Sequence, residues 1–196
     1  MTGLLYFHRI TDNRMAGEAL RNFRLFESLC GEEFNKIVLA TTMWDEVDGR
    51  IGCNRENDLK NSYWGEMVER GSIIRRFLLT RRSAFEVLEP ILGELGKRKT
   101  LLFQREVEDL GLNLNETRAG RTLAMQLEGI VGAHEEKLDR IRSELKDPLL
   151  TPTKLNLLKE EYQEISRQIQ DTTNEAKRFK TLTTSKPPTK WRRIIE

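Results

Sequence analysis

The residues best placed to do chemistry are Thr42, Met43, Trp44 and Asp45, because of what precedes them. Residues 36–41 (Lys-Ile-Val-Leu-Ala-Thr) form an apolar, largely β-branched run, the pattern of a strand buried on both faces of a parallel sheet. In open α/β sheets ligands bind beyond the carboxyl ends of the strands, and here hydroxyls and a carboxylate follow the run directly. An aspartate in that position also suits the cap of a following helix, so the local pattern admits both roles for Asp45. Ser83, with Glu86 three residues on, reads as a capping box, and Arg9, Asp12 and Arg14 read as charges of a surface loop. His8 and His134 lack ligand spacing, and Cys30 and Cys53 have no metal-ligand company. Neither Gly-x-Ser-x-Gly nor His-Glu-x-x-His occurs. The residues therefore assign no catalytic group and no metal ligand.

Strands and helices must hold these groups. Residues 3–10 read as a strand whose apolar core, 4–7, suits a central position. A helix over 16–30 follows, with Leu20, Phe23, Leu25, Phe26 and Leu29 as its apolar face and Gly31 as its stop. The spacing predicts a second helical stretch over 48–70, interrupted by Gly49, Gly52 and Gly65. A third strand over 72–79 contains Arg75 and Arg76, which points to a sheet edge. Ser83 then opens a helix with Phe85, Val87, Leu88, Ile91, Leu92 and Leu95 as its stripe and Pro90 inside it. This strand–helix alternation is the grammar of an α/β fold with a partial parallel three-layer sheet, spanning residues 1–99.

From about residue 100 the grammar changes. Residues 101–110 read as a helix ended by Gly111. A long helix to about 146 follows, carrying Ala124, Leu127, Val131, His134, Leu138, Ile141 and Leu145 at spacings of three and four. Beyond Asp147-Pro148, residues 153–180 carry Leu155, Leu158, Tyr162, Ile165, Ile169, Thr172, Ala176 and Phe179, a seven-residue repeat of coiled-coil type. The short turn between them predicts an antiparallel hairpin, so 100–182 reads as a helical coiled-coil extension. His134 takes a packing or register position in it. Residues 183–196, with Pro187-Pro188 and Lys190-Trp191-Arg192-Arg193, read as a disordered basic tail.

Composition narrows the class. The 33 basic residues nearly cancel the 31 acidic ones, for a net charge of +2, which argues against a dedicated nucleic-acid binder. Charged residues make up 33% of the chain, as long solvated helices require. No apolar stretch of about 18 residues occurs, and the N-terminus lacks the features of a signal peptide. With only two cysteines, a reducing, cytoplasmic setting is expected.

Several segments carry a family resemblance: Tyr6-Phe7-His8-Arg9-Ile10-Thr11-Asp12-Asn13-Arg14, Asn22-Phe23-Arg24-Leu25-Phe26, Leu29-Cys30-Gly31 and Val38-Leu39-Ala40-Thr41-Thr42-Met43-Trp44-Asp45. Together they resemble the C-terminal half of a P-loop GTPase G domain, of the septin- and AIG1-like kind found in fungal G-domain-containing proteins. The resemblance implies that Thr42-Met43-Trp44-Asp45 is the guanine-recognition loop, usually Asn/Thr-Lys-x-Asp, with GTP or GDP as its ligand. Asp45 would accept both N–H donors of the guanine edge, an arrangement adenine cannot satisfy. Met43 departs from the family lysine whose stem covers the base, leaving Met43 or Trp44 to do so. Residues 80–84 (Thr-Arg-Arg-Ser-Ala) fall at the second base-contacting loop, where the Ser83 and Ala84 amides would face the guanine carbonyl.

No Gly-x-x-x-x-Gly-Lys-Ser/Thr and no Asp-x-x-Gly switch follows from these residues. The run Gly93-Glu94-Leu95-Gly96-Lys97-Arg98 is not a phosphate loop, since Arg98 stands where Ser or Thr must. In the family the phosphate-binding strand would precede Leu4, so the chain is expected to be truncated, split or mis-started. Magnesium would bind only with that half supplied. Hydrolysis by the chain alone is not expected. The rival expectation is a coiled-coil interaction or scaffold protein, with a protein partner or self-association through the hairpin and a non-binding G-domain remnant.

Overall fold

The computed structural model describes residues 3–32, 34–92, 100–147 and 149–181. They divide into two compact units, the first reaching Leu110 and the second beginning at Gly111.

In the first unit β1 (Leu4–Arg9), β2 (Ile37–Thr42) and β3 (Ile73–Arg76) form a parallel sheet in the order β1-β2-β3. The register pairs Leu4 with Ile37 and Arg9 with Thr42, then Val38 with Ile73 and Thr41 with Arg76. The apolar run of β2 has the central place its sequence demands, buried on both faces from Ile37 to Thr41. β1 does not take the central place expected of it. It is an edge strand among the described residues, and Phe7 is 52% exposed. A continuous apolar run specifies two apolar faces and says nothing of what lies beside the strand. β3, with Arg75 and Arg76, is the other edge, as the arginines predict.

Helices cover both faces. On one, α1 (Gly17–Cys30), α2 (Gly49–Ser62) and α3 (Gly65–Glu69) enclose Ile10, Phe23, Cys30, Leu39, Leu59 and Trp64. Tyr6 meets Phe23 edge-on at 5.4 Å and Phe26 at 5.0 Å between ring centres. Burial, with Asp12 and Glu27 adding to it, pushes the Tyr6 phenol up to about 12. Gly31, at φ 70°, ends α1 as its position predicts. The stretch expected over 48–70 is broken at Tyr63 and Trp64, where the fully buried indole of Trp64 turns the chain from α2 into α3. On the opposite face α4 (Arg81–Leu92) lays Val87 and Ile91 against Val38 and Ala40, and it continues through Pro90. Leu95, the last residue of its expected stripe, lies outside the described residues. So do residues 93–98 and the tail at 183–196.

α5 (Leu102–Gln104), running on as a π-helical turn (Arg105–Asp109), packs against α1 in the first unit. The sequence groups these residues with the helices that follow because they contain no strand; their tertiary partner is not written in the local pattern.

The second unit is a helix pair. Thr117 caps α6 (Arg118–Glu144) by accepting a bond from the Gly120 amide at 2.9 Å. Asp147 holds the turn by accepting from the Leu149 amide at 2.9 Å, and Pro152 opens α7 (Pro152–Thr181). Leu138, Ile141 and Leu145 pack against Leu158, Tyr162, Ile165 and Ile169. Cross-helix pairs run in opposite senses, Glu128 with Lys180 at 3.4 Å, Lys137 with Glu161 at 2.8 Å and Glu144 with Lys154 at 3.7 Å, so the helices are antiparallel. His134 lies half-buried on α6, its Nδ1 enclosed without a hydrogen-bond partner.

Candidate functional site

The carboxyl edge of the sheet is built from the ends of β1, β2 and β3 and the loops that leave them. Thr41, fully buried at the end of β2, is the hub. Its hydroxyl donates to Glu56 Oε1 at 3.1 Å and accepts from the Trp44 indole N–H at 3.0 Å. Arg76, opposite Thr41 on β3, chelates the Glu56 carboxylate through Nε at 3.1 and 2.9 Å and through a terminal nitrogen. Its guanidinium also lies 4.1 Å from the centre of the Trp44 ring. The bond to Glu56 raises the arginine pKa further above its ordinary value. The same guanidinium donates to Cys53 Sγ at 3.6 Å. Below the indole stands Gly52 of α2, where a Cβ would come within 2.8 Å of the ring; glycine is required by that approach.

These contacts fix the four residues of the predicted base loop. Thr42 ties the loop back to β1 by donating to the His8 carbonyl at 3.4 Å. Met43 turns the chain in the left-handed region, at φ 60° and ψ 39°, and a 3-10 turn (Trp44–Glu46) follows. Trp44 is engaged by Arg76 and Gly52, which leaves the half-buried Met43 as the other apolar side chain of the loop. The cap of α2 is Asp48, which accepts from the Arg50 and Ile51 amides at 2.9 and 3.3 Å. Asp45 is therefore not a helix cap. Its carboxylate is exposed and makes no hydrogen bond or ion pair among the described residues.

Ser83 and Ala84 leave the same sheet edge after β3, and the Phe77 amide bonds to the Thr41 carbonyl at 2.8 Å to join the two loops. Their amides are spent inside the turn. Ser83 N donates to Thr80 Oγ1 at 3.1 Å and Ala84 N to the Thr80 carbonyl at 3.0 Å. Ser83 Oγ in return accepts from the Leu78 and Thr80 amides at 3.0 and 3.3 Å. The capping box thus runs from Thr80 to Ser83, one turn earlier than the sequence suggests, and Glu86 pairs with Arg82 instead. Leu79 reaches this turn at φ 55°.

At the end of β1 a cavity of about 200 Å³ opens, lined among others by His8, Asp12, Arg14, Arg55, Asp58 and Tyr63. His8 is buried edge-on to Trp64, and burial lowers its pKa against the opposing pull of Asp12. Arg55 of α2 donates to the carbonyls of Ile10 and Thr11 at 3.0 and 2.9 Å and to Asn13 Oδ1 at 3.4 Å, holding the loop after β1. Of the loop charges, Arg9 pairs with Asp12 at 3.2 Å, whereas Arg14 faces the cavity. Among the described residues no group of three or more His, Cys, Asp or Glu side chains is arranged to hold a metal ion.

No family model, curated protein or solved structure matches the chain.

Sequence reasoning brought Thr42, Met43, Trp44 and Asp45 to one loop and missed Arg55, Glu56 and Arg76. The two arginines and the glutamate sit inside a helix and an edge strand, and only the strand order brings Arg76 to Glu56 and α2 to the end of β1. Acid and base about 20 residues apart carry no local signal. No described helix is long and apolar enough to cross a membrane.

Proposed function

We propose that the first unit binds a guanine nucleotide at the carboxyl edge of its sheet, with Asp45 reading the base, and that it does not hydrolyse the nucleotide by itself. The observation that carries this reading is the Asp45 carboxylate: exposed, unpaired, and delivered by a rigid turn straight off the central strand. An unpaired carboxylate on a tethered turn can receive the two adjacent N–H donors of guanine with little reorganisation. Thr42 anchors the turn through the His8 carbonyl, Trp44 anchors it through Thr41, and Met43 supplies apolar cover. Because the Ser83 and Ala84 amides are already bonded to Thr80, base selection rests on Asp45 rather than on that second loop. GTP or GDP is the ligand class, with magnesium bound only where a phosphate loop is supplied.

The test is titration of the full chain with guanosine and adenosine monophosphates, followed by protein NMR. Guanine should bind at least about tenfold more tightly, the discrimination a bidentate pair provides, and Asp45→Ala should erase the preference. Equal shifts with both nucleotides, or none, would overturn the reading.

A second reading has its own supporting observation, the internally satisfied Ser83 and Ala84 amides. In it the first unit binds no nucleotide and the chain works as an interaction protein through α6 and α7, in the manner of a coiled-coil scaffold. Met125 on α6, Leu157 on α7 and Leu149 in the turn between them stand exposed as points of contact. Absence of nucleotide shifts, together with helix association that grows with concentration, would favour it.

A further inference from the structure

α4 lies over β2 and β3 and covers that face of β1 only as far as Leu5, leaving Phe7 exposed. Phe7 stands there 52% exposed, beside Leu5 at the rim of the small core under α4. The flank of α4 that carries Ile91 turns toward β1, since a Cβ on Gly3 would touch Ile91 at 2.9 Å. Leu88 lies one turn from Ile91 on that flank, with Phe85 and Leu92 a step further round, and all three are exposed.

The backbone of β1 presents the same two residues. Leu4 N donates to the Lys36 carbonyl and Ile10 N to the Thr42 carbonyl, both at 2.9 Å, so the even-numbered residues face β2. Residues 5, 7 and 9 therefore face the open edge. The Arg9 carbonyl accepts from the Asp12 amide at 3.2 Å, but the amides and carbonyls of Leu5 and Phe7 have no partner among the described residues. Unpaired edge groups and apolar side chains on one strand form a template for another strand.

We propose that a second copy of this chain pairs antiparallel with β1 about a twofold axis at Tyr6. Leu5 of each copy then lies opposite Phe7 of the other, and each such pair exchanges both of its N–H···O=C bonds. The edge is its own complement. Residues 4–7 carry no charge, Arg9 falls opposite Gly3, and no like charges are brought together. On the α4 face, Leu5 and Phe7 of the two copies form a cross-strand cluster between the two α4 flanks. The exposed parts of Phe7, Phe85, Leu88 and Leu92 amount to about 350 Å² per copy, against about 800 Å² per partner in a standard interface. The dimer is accordingly weak and in rapid exchange.

Sedimentation of the full chain from about 1 to about 300 μM, the range such an area supports, tests this. The dimer fraction should rise with concentration. Phe7→Asp should move its midpoint upward at least about tenfold, and Met125→Asp on α6 should leave it unchanged. In the unaltered chain, hydrogen exchange at the Leu5 and Phe7 amides should slow as concentration rises. A monomer throughout, or a dimer dissolved by Met125→Asp and kept by Phe7→Asp, would overturn the proposal. If Phe7→Asp does not fold, concentration-independent exchange at Leu5 and Phe7 overturns it instead.

Discussion

Trp44 is held by Thr41 through its indole N–H and covered by an arginine of the neighbouring strand. Arg76 binds Glu56, whose carboxylate is also held by Thr41, and covers the indole that Thr41 anchors. Removing the guanidinium leaves a largely enclosed carboxylate with one hydroxyl partner, which costs more than the loss of a surface pair. Arg76→Ala is expected to destabilise the first unit by about 2 kcal/mol, read from the urea midpoint. A midpoint equal to the wild type would show that the cluster is not what fixes the loop. His8 makes a second prediction at this scale. Burial lowers its pKa in the folded chain, while the unfolded chain takes up its proton near pH 6.5. Below about that pH the unfolded state binds more protons than the folded one, so stability falls with falling pH; above it the contribution is intact. The urea midpoint should be lower at about pH 5.5 than at about pH 7.5, and His8→Gln should flatten the difference. An equal slope in the variant would exclude His8 as its source.

At the scale of elements, the α6–α7 seam depends on a few side chains. Ile165 and Leu158 are buried between the helices, and Asp in place of Ile165 would bring a charge into that seam. Ile165→Asp is expected to cost on the order of 3 kcal/mol or more and to remove helical signal from the thermal melt of the full chain. An unchanged melt would mean the seam contributes little. The seam was legible because a seven-residue repeat and a turn state their own partner. β2 was legible for a related reason, since a strand closed on both faces must be apolar at every position. The lateral neighbours of β1 were not, because pleat and apolarity fix faces while hydrogen-bonding edges depend on chain order. Thr80 and Ser83 are both hydroxyl residues, so pattern alone offers two registers for the cap of α4, and the structure takes the earlier one. Before α2 the sequence points to Asp45 as the possible cap and gives no sign of Asp48 in that role. The cap is decided by which carboxylate reaches the first free amides, and Asp48 reaches them.

For the whole molecule, charge is nearly balanced, with 33 basic and 31 acidic residues. Hydrolysis of a γ-phosphate needs a backbone cradle, a lysine and a metal ion to stabilise the transferring group, and no Gly-x-x-x-x-Gly-Lys-Ser/Thr occurs in the 196 residues. The purified chain is expected to turn over GTP no faster than buffer. Release of phosphate that disappears in Asp45→Ala would contradict this. The two thiols, finally, make the molecule its own reporter. Cys30 is sealed in the core and burial pushes its thiol up to about 12, so maleimide dyes in neutral buffer should ignore it. Cys53 is only half covered and lies beside Arg76, at the rim of the Trp44 cluster. A fluorophore can thus be installed at one chosen spot without altering a single codon, beside Arg76 and its Trp44 partner, where a change in brightness on adding a nucleotide would test the proposed site.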